Sequence, residues 1–229
     1  MGASGFVSIV SSFAAIVLLV AALGFIPWIH MTLVFGATES SRSHVGLLSV
    51  TVPHNALFPF QVQVTLRDYV EFFQSARDSL DTNQPSLQPL VDYGGLAFAG
   101  LIASALFSGL AIVGAVFVLV VGNQAGKDTV SKATRAGVVV SLLAMLFSLG
   151  SALVWMLVAV NDISYDWAAG PWLVIGASII QFVAFVALSS AIRGVRTGNY
   201  SPLLSLQFGS ASPSRRSSGA LSEDYYALR

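Results

Sequence analysis

Side chains able to do acid–base, nucleophilic or metal chemistry are few in this chain and stand far apart. There are three histidines, His30, His44 and His54, and no cysteine. Without cysteine there are no disulfides, thiolate metal sites, iron–sulfur clusters or thiol redox chemistry. His44 and His54 tempt a metal assignment, but no third ligand follows at a usable spacing, so they read as ordinary loop residues and no metal site is assigned. No nucleophile stands at a working distance in sequence from a base, and no carboxylate pair or histidine lies inside an apolar run. The expectation is a protein with no catalytic residue and no cofactor. Gln181 is the only strongly polar side chain deep in an apolar stretch, and it reads first as an interhelical hydrogen bond, with a pore-lining role as the alternative.

The elements that must position these groups are set by composition. Of 229 residues, 55% are hydrophobic and 10% charged, against about 25% charged in an average soluble domain, and the mean hydropathy is +0.77. A bilayer core of roughly 30 Å needs about 20 apolar helical residues. Four stretches meet that requirement, at about 6–29, 93–121, 136–160 and 172–192. None carries an ionisable group in its interior, and Trp28, Tyr93, Trp155, Trp167 and Trp172 stand near their ends, where interfacial aromatics belong. The fold class expected is therefore an all-α membrane protein, a four-transmembrane-helix bundle covering residues 1–193, followed by a tail over 194–229. The first run reads as a retained span, since no positive charge precedes it and it is longer than a signal-peptide core. Phe6 stands where a myristoylation motif needs Ser or Thr.

Net charge is zero, which argues against a nucleic-acid partner, but the charges are not evenly spread. Segments 30–92 and 161–171 together hold three arginines and eight acids, whereas segments 122–135 and 193–229 hold eight bases and three acids. Lys and Arg stay on the cytoplasmic side. Both termini are thus expected inside, with 30–92 as the outer loop, and the plasma membrane is the expected location.

Within the spans, small residues recur four apart: Gly95, Ala99 and Ala103, then Gly100, Ser104 and Ser108, with Ser148 and Ala152 in the third span. Helices in lipid associate through such close-packing residues. These rows and Gln181 are the expected helix-packing positions, read first as contacts inside one bundle and alternatively as a dimerisation face.

The outer loop carries two strand patterns, Val45 to Val52 and the unbroken alternation Phe60 to Leu66, linked by a loop over 53–59. From Asp68 to Leu80 the period turns helical, with Tyr69, Phe72, Phe73, Ala76 and Leu80 on one face. Asn83, Pro85 and Pro89 are expected to separate that helix from the second span. The expectation is a small β-ribbon plus helix. The tail is Ser-, Gly-, Pro- and Arg-rich and reads as disordered. Ser212, Ser217 and Ser218 stand in phosphorylation contexts. Tyr225 and Leu228 form a tyrosine-x-x-bulky sorting pattern.

Four spans with both ends inside, a long first outer loop of strands then a helix, and a short second one resemble the claudin and PMP22-like tetraspan superfamily. Pro27-Trp28 is similar to the Pro-x-Trp of claudins, and Gln74-Ser75-Ala76-Arg77 to the Gln-Ala-Ala-Arg of their extracellular helix. The Gly-Leu-Trp signature and the paired loop cysteines are absent. The resemblance implies architecture; the polar side chains of the spans, only Ser and Gln181, favour a non-catalytic protein working by lateral association, as a junction or adhesion component or an accessory subunit. Its partners would be the lipid bilayer and other membrane proteins or copies of itself. The alternative is an oligomeric cation-permeable pore, its acidic outer surface attracting cations.

Overall fold

The computed structural model describes residues 2–24, 26–35, 39–52, 60–80, 87–121, 127–159 and 165–196. His54, the 53–59 loop, Asn83 and Pro85 lie outside these residues, as do Ser212, Ser217, Ser218, Tyr225 and Leu228 of the tail. Among the described residues, four helices are long and apolar enough to cross a membrane: α1 (Gly2–Gly24), α3 (Gln88–Val121), α4 (Lys127–Val154) and α5 (Ala169–Arg196). The helix α1 ends at Gly24, short of the expected 29, while the other three outrun their apolar runs. The helix α3 begins at Gln88 and takes Pro89 into its first turn, where a missing N–H costs nothing. Pro89 therefore opens the second span and does not separate it from the preceding helix. The helix α4 starts at Lys127 and ends in a π-helical turn over Trp155–Ala159. The helix α5 continues to Arg196, so the boundary expected at 193/194 falls inside a helix.

The helices pack as a closed ring, α1 against α3 and α5, and α4 against α3 and α5. Each buries a seam whose steps alternate between three and four residues. In α1 the seam is Ser8, Ser12, Ala15, Leu19 and Ala22. In α3 it is Gly94, Ala97, Leu101, Ser104, Ser108, Ala111, Ala115 and Val118. In α5 it is Val174, Ala177, Gln181, Ala184, Leu188 and Ala191. An average step of 3.5 keeps one face toward the partner helices when they supercoil left-handedly, the common arrangement in membrane bundles. Most of these residues are small, which lets backbones approach and replaces the hydrophobic driving force that lipid does not supply.

At one end of the bundle lies a five-stranded antiparallel sheet in the order β4–β3–β2–β1–β5, where a two-stranded ribbon was expected. Its strands are β1 (Ile29–Phe35), β2 (Glu39–Val45), β3 (Ser49–Val52), β4 (Val62–Thr65) and β5 (Tyr165–Trp167). The run Val45 to Val52 divides into two strands around a turn at Gly46, closed by a 2.8 Å bond from the Gly46 N–H to the Ser49 carbonyl. The first strand escapes sequence reading because Ile29 to Phe35 prolongs the apolar run of the first span. The second escapes it because one of its inward residues is Ser43, beside Val45, so no apolar alternation marks it. The fifth comes from the short second connection and pairs with β1 at Ile29↔Trp167, His30↔Asp166 and Met31↔Tyr165.

Ile29, Met31, Val45, Val50 and Val52 form the buried face, which shares one core with Leu47, Leu90, Trp155 and Val174. Helix α2 (Leu66–Leu80) buries Leu66, Tyr69 and Val70, with Phe73 packed beside them, whereas Phe72 is 52% exposed and departs from the expected face. Burial pushes the Tyr69 phenol up to about 12, the nearby Ser43 hydroxyl acting in the opposite direction.

Two glycines seat the sheet on the bundle. A Cβ on Gly94 would lie 2.6 Å from the Leu47 carbonyl oxygen, and one on Gly170 would lie 2.6 Å from the Trp28 ring. Trp28 is fully buried, donates from Nε1 to the Ala22 carbonyl at 2.9 Å, and meets Trp155 edge-on at 5.0 Å between centroids. The N–H groups of Ala168 and Gly170 donate to the carbonyls of Trp28 and Pro27, at 3.1 and 3.0 Å. The start of α5 is thereby pinned to the end of the first span.

Candidate functional site: a sealed glutamine clamp and an exposed histidine pair

Gln181 projects from the seam of α5 between α3 and α4 and is 2% exposed. Its Nε2 donates to the hydroxyls of Ser104 and Ser108, both at 2.9 Å. Its Oε1 accepts from Ser148 at 2.7 Å. Ser148 also lies 2.8 Å from the Ser178 hydroxyl, and Ser178 donates back to the Val174 carbonyl at 2.8 Å. Ser104 donates across the interface to the Ala144 carbonyl at 2.7 Å. Both amide hydrogens are used, and every serine in the group is buried. An unpaired polar atom in an apolar interior costs several kcal/mol, so the network is stable because it is closed. The serines must come from three helices at one level, which the 3.5-residue seams provide.

The expected packing rows are only partly used. Ser104 and Ser108 lie in the α3 seam, and Ser148 and Ala152 are buried on α4. Gly100 is half-buried, and a Cβ there would run into the Ser151 hydroxyl. Ala103 is half-buried, but Gly95 and Ala99 are exposed, and nothing lies within 4 Å of a Cβ on Gly95. The physical reason is rotation. Four residues turn a helix through about 400°, so a four-spaced row drifts out of a seam that averages 3.5. Alternation of three and four steps is the signal that recovers Gly94, Ala97, Leu101 and Ala111, and it is already present in the sequence.

On the sheet, His30 and His44 are not loop residues. They oppose each other across β1 and β2, on the face away from the helices, since their neighbours Ile29, Met31 and Val45 point inward. Their Nδ1 atoms are 2.7 Å apart and their rings meet edge-on, with centroids 4.7 Å apart. Asp166 opposes His30 from β5 and is held by Arg42 at 3.1 Å in an exposed ion pair. Burial, then the neighbouring His44 and Arg42, lower the His30 pKa, while Asp166 raises it. Among the described residues no three His, Cys, Asp or Glu side chains group as a metal cage.

The chain is thus, by its fold, an integral membrane protein with four candidate spanning helices capped at one end by a small sheet. No protein-family model matches it, and no curated protein is significantly similar to it.

Proposed function

We propose that this chain is a non-catalytic tetraspan that works by lateral association in the plasma membrane, as a junction or adhesion component or as an accessory subunit. The observation that carries this reading is the closed Gln181 network. The one strongly polar side chain deep in the spans spends its amide on Ser104, Ser108 and Ser148, binding three helices together in the manner of a packing clamp. A conducting path needs such groups facing water. Outward faces of the spans carry Leu106, Leu110, Val113 and Val120, each more than half exposed, a surface suited to lipid and to neighbouring helices. Four strands and a helix between the first two spans, with a fifth strand from the second connection, support the claudin-like reading of the layout. The acidic balance of the sheet-bearing segments supports placing the sheet outside and both termini in the cytoplasm.

Extraction in mild detergent followed by mass measurement, together with reconstitution in a planar bilayer, tests the proposal. The expected result is a complex larger than the 24.1 kDa chain and no current from the purified wild type. Gln181→Leu should weaken the bundle by about 1–2 kcal/mol, from the loss of three modest interhelical bonds, and should leave the bilayer equally silent. A robust cation current from pure wild-type protein, suppressed by Gln181→Leu, would replace this reading with that of an oligomeric pore.

A further inference from the structure

We propose that His30 and His44 form a binding site for one late first-row divalent metal ion, Cu2+ or Zn2+, on the face of the sheet that points away from the bundle. The two rings converge from directly opposed strand positions, with Nδ1 atoms 2.7 Å apart. Two nitrogens bound to one tetrahedral ion at about 2.0–2.1 Å stand about 3.3 Å apart. The rings therefore need to part by roughly half an ångström, a side-chain adjustment that leaves the strand register unchanged. That register is fixed on both sides, by β2 pairing with β3 and by β1 pairing with β5, so the ligands are brought together by folding and not by the ion.

In the metal-free state one ring must donate to the other, and a second proton would set two N–H groups against each other. On metal binding the donating ring shifts its proton from Nδ1 to Nε2, so both rings stay neutral and both Nδ1 lone pairs face the ion. Imidazole nitrogen suits Cu2+ and Zn2+, and affinity should be higher for Cu2+. Among the described residues no third protein ligand groups at the pair, so water completes the coordination, and the exposed His44 ring gives the ion access from solvent. The chain has no cysteine and only one other histidine, so competing soft or imidazole sites are nearly absent from the sequence.

The test is Cu2+ titration of the full chain in lipid nanodiscs, purified on a non-histidine tag, with glycine as competing chelator and electron paramagnetic resonance as readout. Expected is one Cu2+ per chain whose spectrum shows coupling to two imidazole nitrogens. His30→Asn and His44→Asn should each weaken binding by more than about 100-fold, beyond the roughly 10–100-fold that loss of an outer-shell partner costs. His54→Asn should leave binding unchanged. The wild-type spectrum decides the matter without any variant having to fold: a spectrum without two imidazole nitrogens overturns the proposal. So does wild-type affinity in the folded His30→Asn/His44→Asn double variant, or loss of binding in His54→Asn.

Discussion

His30 stands on β1 between His44 of β2 and Asp166 of β5, near the Arg42–Asp166 ion pair, and these neighbours set how its charge couples to folding. Burial and the two basic neighbours disfavour the imidazolium more than Asp166 favours it, so the folded chain binds a proton here at lower pH than the unfolded chain. The stability contributed by the neutral ring is whole above the unfolded value of about 6.5. It is lost as pH falls from there toward the lower folded value. The midpoint of thermal unfolding in detergent should therefore drop on going from about pH 7.5 to about pH 5.5, and part of that drop should vanish in His30→Asn. An identical drop in the variant would show that His30 does not carry the effect. Gln181 illustrates the other limit: a neutral amide whose hydrogen bonds are all internal, so acidification over this range leaves it unchanged.

Among the elements, β4 shows how a half-buried strand is specified. Val62 and Val64 pair with Val52 and Val50, while Gln63 pairs with Thr51 on the other face. Val64 packs on the core, and Gln63 is exposed with a long 3.3 Å bond to Ser49. Val64→Asp would put a carboxylate against Val50, at a cost of about 1–3 kcal/mol or more. Gln63→Asp should stay within about 0.5 kcal/mol. Folded yield after detergent extraction, or the unfolding midpoint, separates the two. Equal losses would mean that the strand assignment, with one face on the core and one in water, is wrong. Alternation makes this strand readable directly from sequence, whereas β1 hides inside the apolar run of a span and β2 presents Ser43 to the core.

At the scale of the whole molecule, the distribution of charge couples the sheet end to one side of the membrane. The connections bearing the sheet hold most of the acids, and the opposite connection and tail hold most of the bases. A reporter inserted within 123–126 or after Arg229 should read cytoplasmic, and one within 82–86 should read extracellular. A label on Arg229 that is reachable from outside intact cells would reverse the orientation. The bundle itself follows from its seams, where small residues on all four helices let the ring close, with Trp28 and Trp155 filling the space beneath the sheet.

Composition and run length alone determined the four spans, because transfer of about 20 apolar residues into lipid is decided residue by residue and needs no knowledge of neighbours. Gln181 stood out for the same reason, as a lone polar group in an apolar run. The helix α2 and the strand β4 were visible in their local periods, with Leu66 to Leu80 starting two residues earlier than the pattern suggested. Tertiary structure decided what local pattern cannot hold. It merged segments from both connections into one sheet, set Ser104, Ser108 and Ser148 around Gln181 from separate helices, and turned Gly95 and Ala99 outward. It also brought His30 and His44, fourteen residues apart in sequence, to 2.7 Å. Each of these depends on strand register or helix rotation, and a shift of one residue in either carries a side chain to another face.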